Sequence, residues 1–101
     1  MSYNTVSGSA SNGIWLANDV FGSTAAPIVD NLIEGNTVSG AAGSGIRVGS
    51  GASGNAFVDN TSSGSGELDC LDETVGFGTA ATANSWLGNL GATSSPPGLC
   101  S

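Results

Sequence analysis

Asn4-Thr5-Val6-Ser7-Gly8-Ser9-Ala10-Ser11-Asn12-Gly13-Ile14-Trp15-Leu16 returns as Asn36-Thr37-Val38-Ser39-Gly40-Ala41-Ala42-Gly43-Ser44-Gly45-Ile46-Arg47-Val48, with eight of thirteen positions identical. A third, decayed copy opens at Asn60-Thr61-Ser62-Ser63-Gly64 and is read as ending at Leu68-Asp69-Cys70. The repeat also extends upstream: Asn31-Leu32-Ile33-Glu34-Gly35-Asn36 matches Asn55-Ala56-Phe57-Val58-Asp59-Asn60 and Asn84-Ser85-Trp86-Leu87-Gly88-Asn89. Self-similarity with a period above about twenty residues marks a stack of repeated units, each of which covers the apolar side of its neighbour.

Each unit carries three short apolar triplets separated by Asn and Gly. Alternation within a triplet puts either its central residue or its two flanking residues on the inner face. Asn and Gly suit the corners, because both tolerate left-handed backbone angles. The unit therefore predicts three short strands per turn, with successive turns stacking as parallel sheets about 4.8 Å apart. Aligned copies predict inner columns of Met1, Ile33, Phe57 and Trp86, then of Val6, Val38 and Ser62. A third column is Ile14, Ile46 and Leu68, with Leu16, Val48 and Cys70 beside it. Asn4, Asn36, Asn60 and Asn89 are predicted to form a corner ladder bonded through their amides, and Asn31, Asn55 and Asn84 another. Asn60-Thr61-Ser62 spells a glycosylation sequon, but a ladder asparagine is inaccessible, so the match is read as chance.

A chain of 101 residues is one domain, here divided into stacked turns over 1–91 and a capping tail over 92–101. Eight acids face a single Arg, with no Lys and no His, for a net charge of −7. That excess argues against nucleic acid and anionic membranes as partners. No run of about eighteen apolar residues is present to insert a helix into a membrane. Cys70 and Cys100 belong to no CxxC or Cys/His cluster, so zinc is not indicated. They are read as a disulfide of a secreted protein, with two free thiols as the alternative. A bond between them would fold Pro96, Pro97 and Leu99 across the open lower end of the stack.

The Asn-x-apolar-x-x-Asn-Thr-x-Ser-Gly blocks and the Gly-Ile-x-apolar blocks resemble those of the right-handed parallel β-helix repeat proteins of the pectate-lyase-like superfamily. The resemblance covers residues 1–91, with 84–100 similar to the C-terminal end of such a helix. It implies an all-β fold: a short right-handed parallel β-helix of about three to four turns with a disulfide-pinned C-terminal cap. It implies no particular activity, because the repeat encodes stacking. Lyases of that superfamily use an Arg or Lys base beside calcium, for which Arg47 is the sole candidate. The adjacent aspartates, Gly-His-Gly and Arg-x-Lys of the polygalacturonase-like members have no counterpart here. A nucleophilic triad lacks its His.

Three surfaces are candidate sites. Trp15, Arg47 and Asp69 are expected side by side on one outward strand face, where Trp15 would stack on a sugar ring and the ions would meet its hydroxyls. The plainer reading is a surface ladder worth at most about 1 kcal/mol. Loops over 17–30 and 71–83 are expected to frame a notch whose Asp19, Asp30, Asp72 and Glu73 would suit calcium, the one cofactor weighed; solvated surface acids are the plainer reading there. Thr5 and Ser7, Thr37 and Ser39, and Thr61 and Ser63 form an outward hydroxyl array similar to the Thr-x-Thr faces of ice-binding solenoids.

Together these readings predict a non-catalytic extracellular or cell-surface module, the C-terminal fragment of a longer secreted protein. Scaffolding, self-association through an uncapped N-terminal turn and weak polysaccharide contact are its expected roles. The alternative is a fragment of a carbohydrate-active β-helix enzyme, lyase-like or hydrolase-like, whose catalytic turns lie upstream.

Overall fold

The computed structural model describes residues 4–8, 12–16, 30–49 and 52–100. Ten strands among them form three parallel sheets. Sheet 1 holds β1 (Thr5–Ser7), β4 (Thr37–Ser39) and β7 (Thr61–Ser63). Sheet 2 holds β2 (Ile14–Leu16), β5 (Ile46–Val48), β8 (Cys70–Asp72) and β10 (Ser94–Ser95). Sheet 3 holds β3 (Leu32–Glu34), β6 (Ala56–Val58) and β9 (Ser85–Leu87). From β1 to β9 the chain visits the sheets in the fixed order 1, 2, 3, so every strand pairs with the strand one repeat away. A single 3-10 turn, Thr79–Ala81, interrupts the β structure of the described residues.

The pairing is in register, and register decides what is buried. Ile33, Phe57 and Trp86 stack as the central, inward residues of sheet 3. The rings of Phe57 and Trp86 lie parallel at 4.1 Å between centroids. Val6, Val38 and Ser62 do the same in sheet 1. The Ser62 hydroxyl, placed among apolar neighbours, donates to the Asp69 carbonyl at 2.7 Å. Met1, expected above Ile33, lies outside the described residues.

Sheet 2 departs from expectation in its third strand. Ile14 and Ile46 stack on Cys70, not Leu68, and Leu16 and Val48 stack on Asp72, not Cys70. The cause is loop length: each sheet 1 strand is followed nine residues later by its sheet 2 strand, as Thr5 by Ile14, Thr37 by Ile46 and Thr61 by Cys70. Leu68 falls in the connecting turn, where its carbonyl accepts the Gly45 N–H at 2.8 Å. Close packing explains the glycine before each Ile. A Cβ on Gly13 would strike Val38, and one on Gly45 would strike the Ser62 hydroxyl.

Both asparagine ladders are present. Asn4, Asn36 and Asn60 each donate their side-chain amide to the carboxamide oxygen of the next, ending at Asn89, at 3.2, 3.0 and 2.9 Å. Asn31 and Asn55 do the same toward Asn84, at 3.0 Å each. The residues before Asn36, Asn60 and Asn89 take left-handed angles, with φ of 64° at Gly35, 53° at Asp59 and 70° at Gly88.

The lower end is closed. Cys70 and Cys100 form a disulfide, and Leu99 is buried against the core. Closing a loop of 30 residues stabilises the fold by about 3–4 kcal/mol in the chain-entropy treatment. Strand β10 lies inside the segment expected to be tail and extends sheet 2 by one strand. Truncation of the fully buried Phe57 to Ala is expected to cost about 3–5 kcal/mol. Leu87→Ala, on the exposed side of the same sheet, should cost within about 0.5 kcal/mol. Urea unfolding of the two variants checks the contrast.

Candidate functional site

The outward column of sheet 2 gathers the aromatic and cationic candidates. Trp15 and Arg47 occupy the central, outward positions of β2 and β5 and are direct neighbours in register. The guanidinium carbon of Arg47 stands 5.0 Å from the Trp15 ring centroid, a cation–π distance. Trp15 is 50% exposed. The next residue in the column is Leu71, not Asp69, because of the register described above. The acid that meets Arg47 is Glu73, whose Oε1 accepts from Nε at 2.8 Å. Both partners are partly solvated, so the ion pair is worth at most about 1 kcal/mol. Sequence reading missed Glu73 in this role because the shifted register placed it in the notch.

Asp69 turns inward instead. Its Oδ2 accepts the Ala92 N–H at 2.9 Å and its Oδ1 the Ser65 N–H at 3.3 Å, while its own N–H donates to Thr93 Oγ1 at 3.0 Å. Burial opposes ionisation, but the N–H groups of Ala92, Ser65 and Thr93 outweigh it and hold the carboxyl below the usual aspartate range. Asp69 is thus the clasp between the turn before β8 and the segment leading into β10.

Nor do the three described acids among the four expected to bind calcium converge. Asp19 lies outside the described residues, and Asp30 is exposed with φ of 57°. Asp72 occupies an inner position of β8 and is 4% exposed. Its carboxylate accepts from Trp86 Nε1 at 3.0 Å, Asn84 Nδ2 at 3.1 Å, and the Thr74 N–H and hydroxyl at 2.9 and 2.5 Å. Four neutral donors satisfy it there and terminate the Asn31–Asn55–Asn84 ladder. Glu73, the next residue, faces Arg47 on the outside. Among the described residues no group of three His, Cys, Asp or Glu side chains is placed to hold a metal.

The hydroxyl array is regular: Thr5, Thr37 and Thr61 stack in one column of sheet 1, and Ser7, Ser39 and Ser63 in another. Three rungs span only about 10 Å. No described helix is long and apolar enough to cross a membrane. Comparison with protein-family models, with characterised proteins and with solved structures finds no match.

A folded-state pKa below the unfolded value means stability that is present above the unfolded pKa and lost as pH falls through the folded one. Asp69 should therefore hold the C-terminal clasp at neutral pH and release it below about pH 4. Asp69→Asn places an amide NH2 where N–H groups already point, and is expected to cost about 1–3 kcal/mol at pH 7. Urea unfolding at pH 7 and pH 3 should show the gap between the two proteins narrowing in acid.

Proposed function

We propose that this chain is a non-catalytic module of the right-handed parallel β-helix class from a secreted or cell-surface protein. Its work is scaffolding, with self-association through the N-terminal turns and weak contact with neutral glycans on sheet 2. The observation that carries this reading is the use made of the charged side chains around sheet 2. Arg47 and Glu73 satisfy each other, Asp69 clasps the tail, and Asp72 closes a ladder. Side chains committed in this way are structural, and none is left poised as an acid, base or nucleophile.

Further support comes from the order in which the chain visits its sheets, the strand spacing of nine residues and the in-register columns, all of which suit a helical stack of turns. The disulfide fits an oxidising compartment. Among the described residues, β1 and β2 have a neighbouring strand on one side only, while the opposite end is closed. Strand edges of that kind pair with other chains. Trp15 offers an aromatic surface for a sugar ring, Arg47 supplies the donors that its single bond to Glu73 leaves over, and Glu73 its second oxygen. The excess of acids favours uncharged glycans over polyuronates.

Sedimentation velocity over a concentration series should reveal a concentration-dependent dimer; a monomer throughout would sink the self-association. Titration with neutral β-linked oligosaccharides should give weak binding that Trp15→Ala abolishes. Binding that survives this substitution would remove sheet 2 as the contact surface.

A further inference from the structure

We propose that the loop over 74–83 and the tail over 91–100 form a terminator that denies the lower end of the sheets to a second copy of this chain, with the Thr79 hydroxyl as the plug of the β9 edge. In β9, Ser85 donates its N–H to the Asn55 carbonyl at 2.9 Å, and the Leu87 carbonyl accepts from Asp59 N–H at 3.0 Å. Both bonds run to the preceding repeat. Trp86, between them, points its N–H and C=O the other way, toward where a following strand would lie. No strand follows. Thr79 Oγ1 instead accepts the Trp86 N–H at 2.9 Å and donates to the Trp86 carbonyl at 3.3 Å. A hydroxyl both donates and accepts, so one side chain replaces both groups of an absent strand.

The plug is firmly seated. Thr79 N–H donates to the Asn84 carbonyl at 3.0 Å, and the Thr79 carbonyl accepts from the Thr82 N–H and hydroxyl at 3.0 and 2.8 Å. The Thr82 side chain is fully buried. Ala83 N–H reaches back to Thr74 Oγ1 at 2.8 Å. Ala80 and Ala81 hold left-handed angles, φ 54° and 64°, which residues with a Cβ adopt only where the surroundings impose them. A Cβ on Gly78 would strike the Asn84 carbonyl, so the loop closes tightly against the strand it guards.

The other two sheets are closed by different means. Below β7, Leu90 alone takes the place of a strand, its N–H donating to Asn60 O and its carbonyl accepting from Ser62 N–H, both at 2.8 Å. The chain then leaves the edge at Gly91, where a Cβ would lie 2.6 Å from Cys100 Sγ. Below β8, β10 is two residues long and runs into Pro96 and Pro97, which have no N–H to offer a further strand. Short edges, prolines and side-chain plugs each defeat strand addition.

Hydrogen exchange followed by NMR, with sedimentation velocity, tests the assignment. In the wild-type chain the Trp86 amide should be protected like the interior Phe57 amide; exchange at the rate of exposed loop amides would overturn the plug without recourse to any variant. In Thr79→Val the Trp86 amide should exchange far faster, and species larger than those of the wild type should appear at equal concentration. Thr79→Ser should restore both properties. An unchanged Trp86 amide in Thr79→Val overturns the role of the hydroxyl. A faster amide without larger species overturns the claim that the plug excludes a second copy.

Discussion

The carboxamide oxygens of Asn36, Asn60 and Asn89, and of Asn55 and Asn84, each accept two hydrogen bonds from the asparagine one repeat earlier, one from its backbone N–H and one from its side-chain amide. Asn60 serves Asn36 in this way, with both bonds at 2.9–3.0 Å, and Asn89 serves Asn60 with both at 2.9 Å. The corners therefore supply their own partners in an interior that water does not reach. Asn36, Asn55, Asn60, Asn84 and Asn89 are all buried, and a buried amide without a partner costs about 1–3 kcal/mol. The same bonds enforce register, because a slip of one residue would leave the amides unpaired and turn every inner side chain outward. The columns of sheet 3, the disulfide and the outward placement of Trp15 beside Arg47 all depend on that register.

Features written as repeats were legible in the sequence. The ladder at Asn4, Asn36, Asn60 and Asn89 follows from matched positions, as does the column of Ile33, Phe57 and Trp86. The third strand of sheet 2 was misplaced by two residues because Leu68 looked like a core residue and Asp72 did not. Constant spacing was the stronger signal: the 24 residues from Asn36 to Asn60 also carry Ile46 to Cys70 and Val48 to Asp72. Hydropathy failed there because the inner acid is satisfied by the Trp86 indole and the Asn84 amide, partners contributed by a later repeat. Glu73 takes the place beside Arg47 expected of Asp69 for the same reason.

Two features had no apolar pattern to announce them. Strand β10 is made of Ser94 and Ser95, which carry no apolar signal, and it exists because the Asp69 clasp and the Cys70–Cys100 bond hold the chain against β8. Thr79 lies in the loop over 74–83, and its bonds to Trp86 arise from a local fold-back. Closure of the lower end is built from the tail and the loop over 74–83, whereas the body is built from the stacked triplets. Surface chemistry follows the same division. The repeats present hydroxyls and a Trp15–Arg47 pair at regular spacing, and the non-repeating acids serve the cap and the ion pair.

The central claim is that the ladder amides hold neighbouring repeats together as a coupled unit. A double-mutant cycle on Asn36→Ala and Asn60→Ala, read by urea unfolding, tests it most directly. A coupling energy of about 1 kcal/mol or more is predicted, since both single substitutions remove the bond from Asn36 Nδ2 to Asn60 Oδ1. Additivity within about 0.3–0.5 kcal/mol would mean that the two residues act independently, and would contradict the ladder as the constraint on which the fold rests.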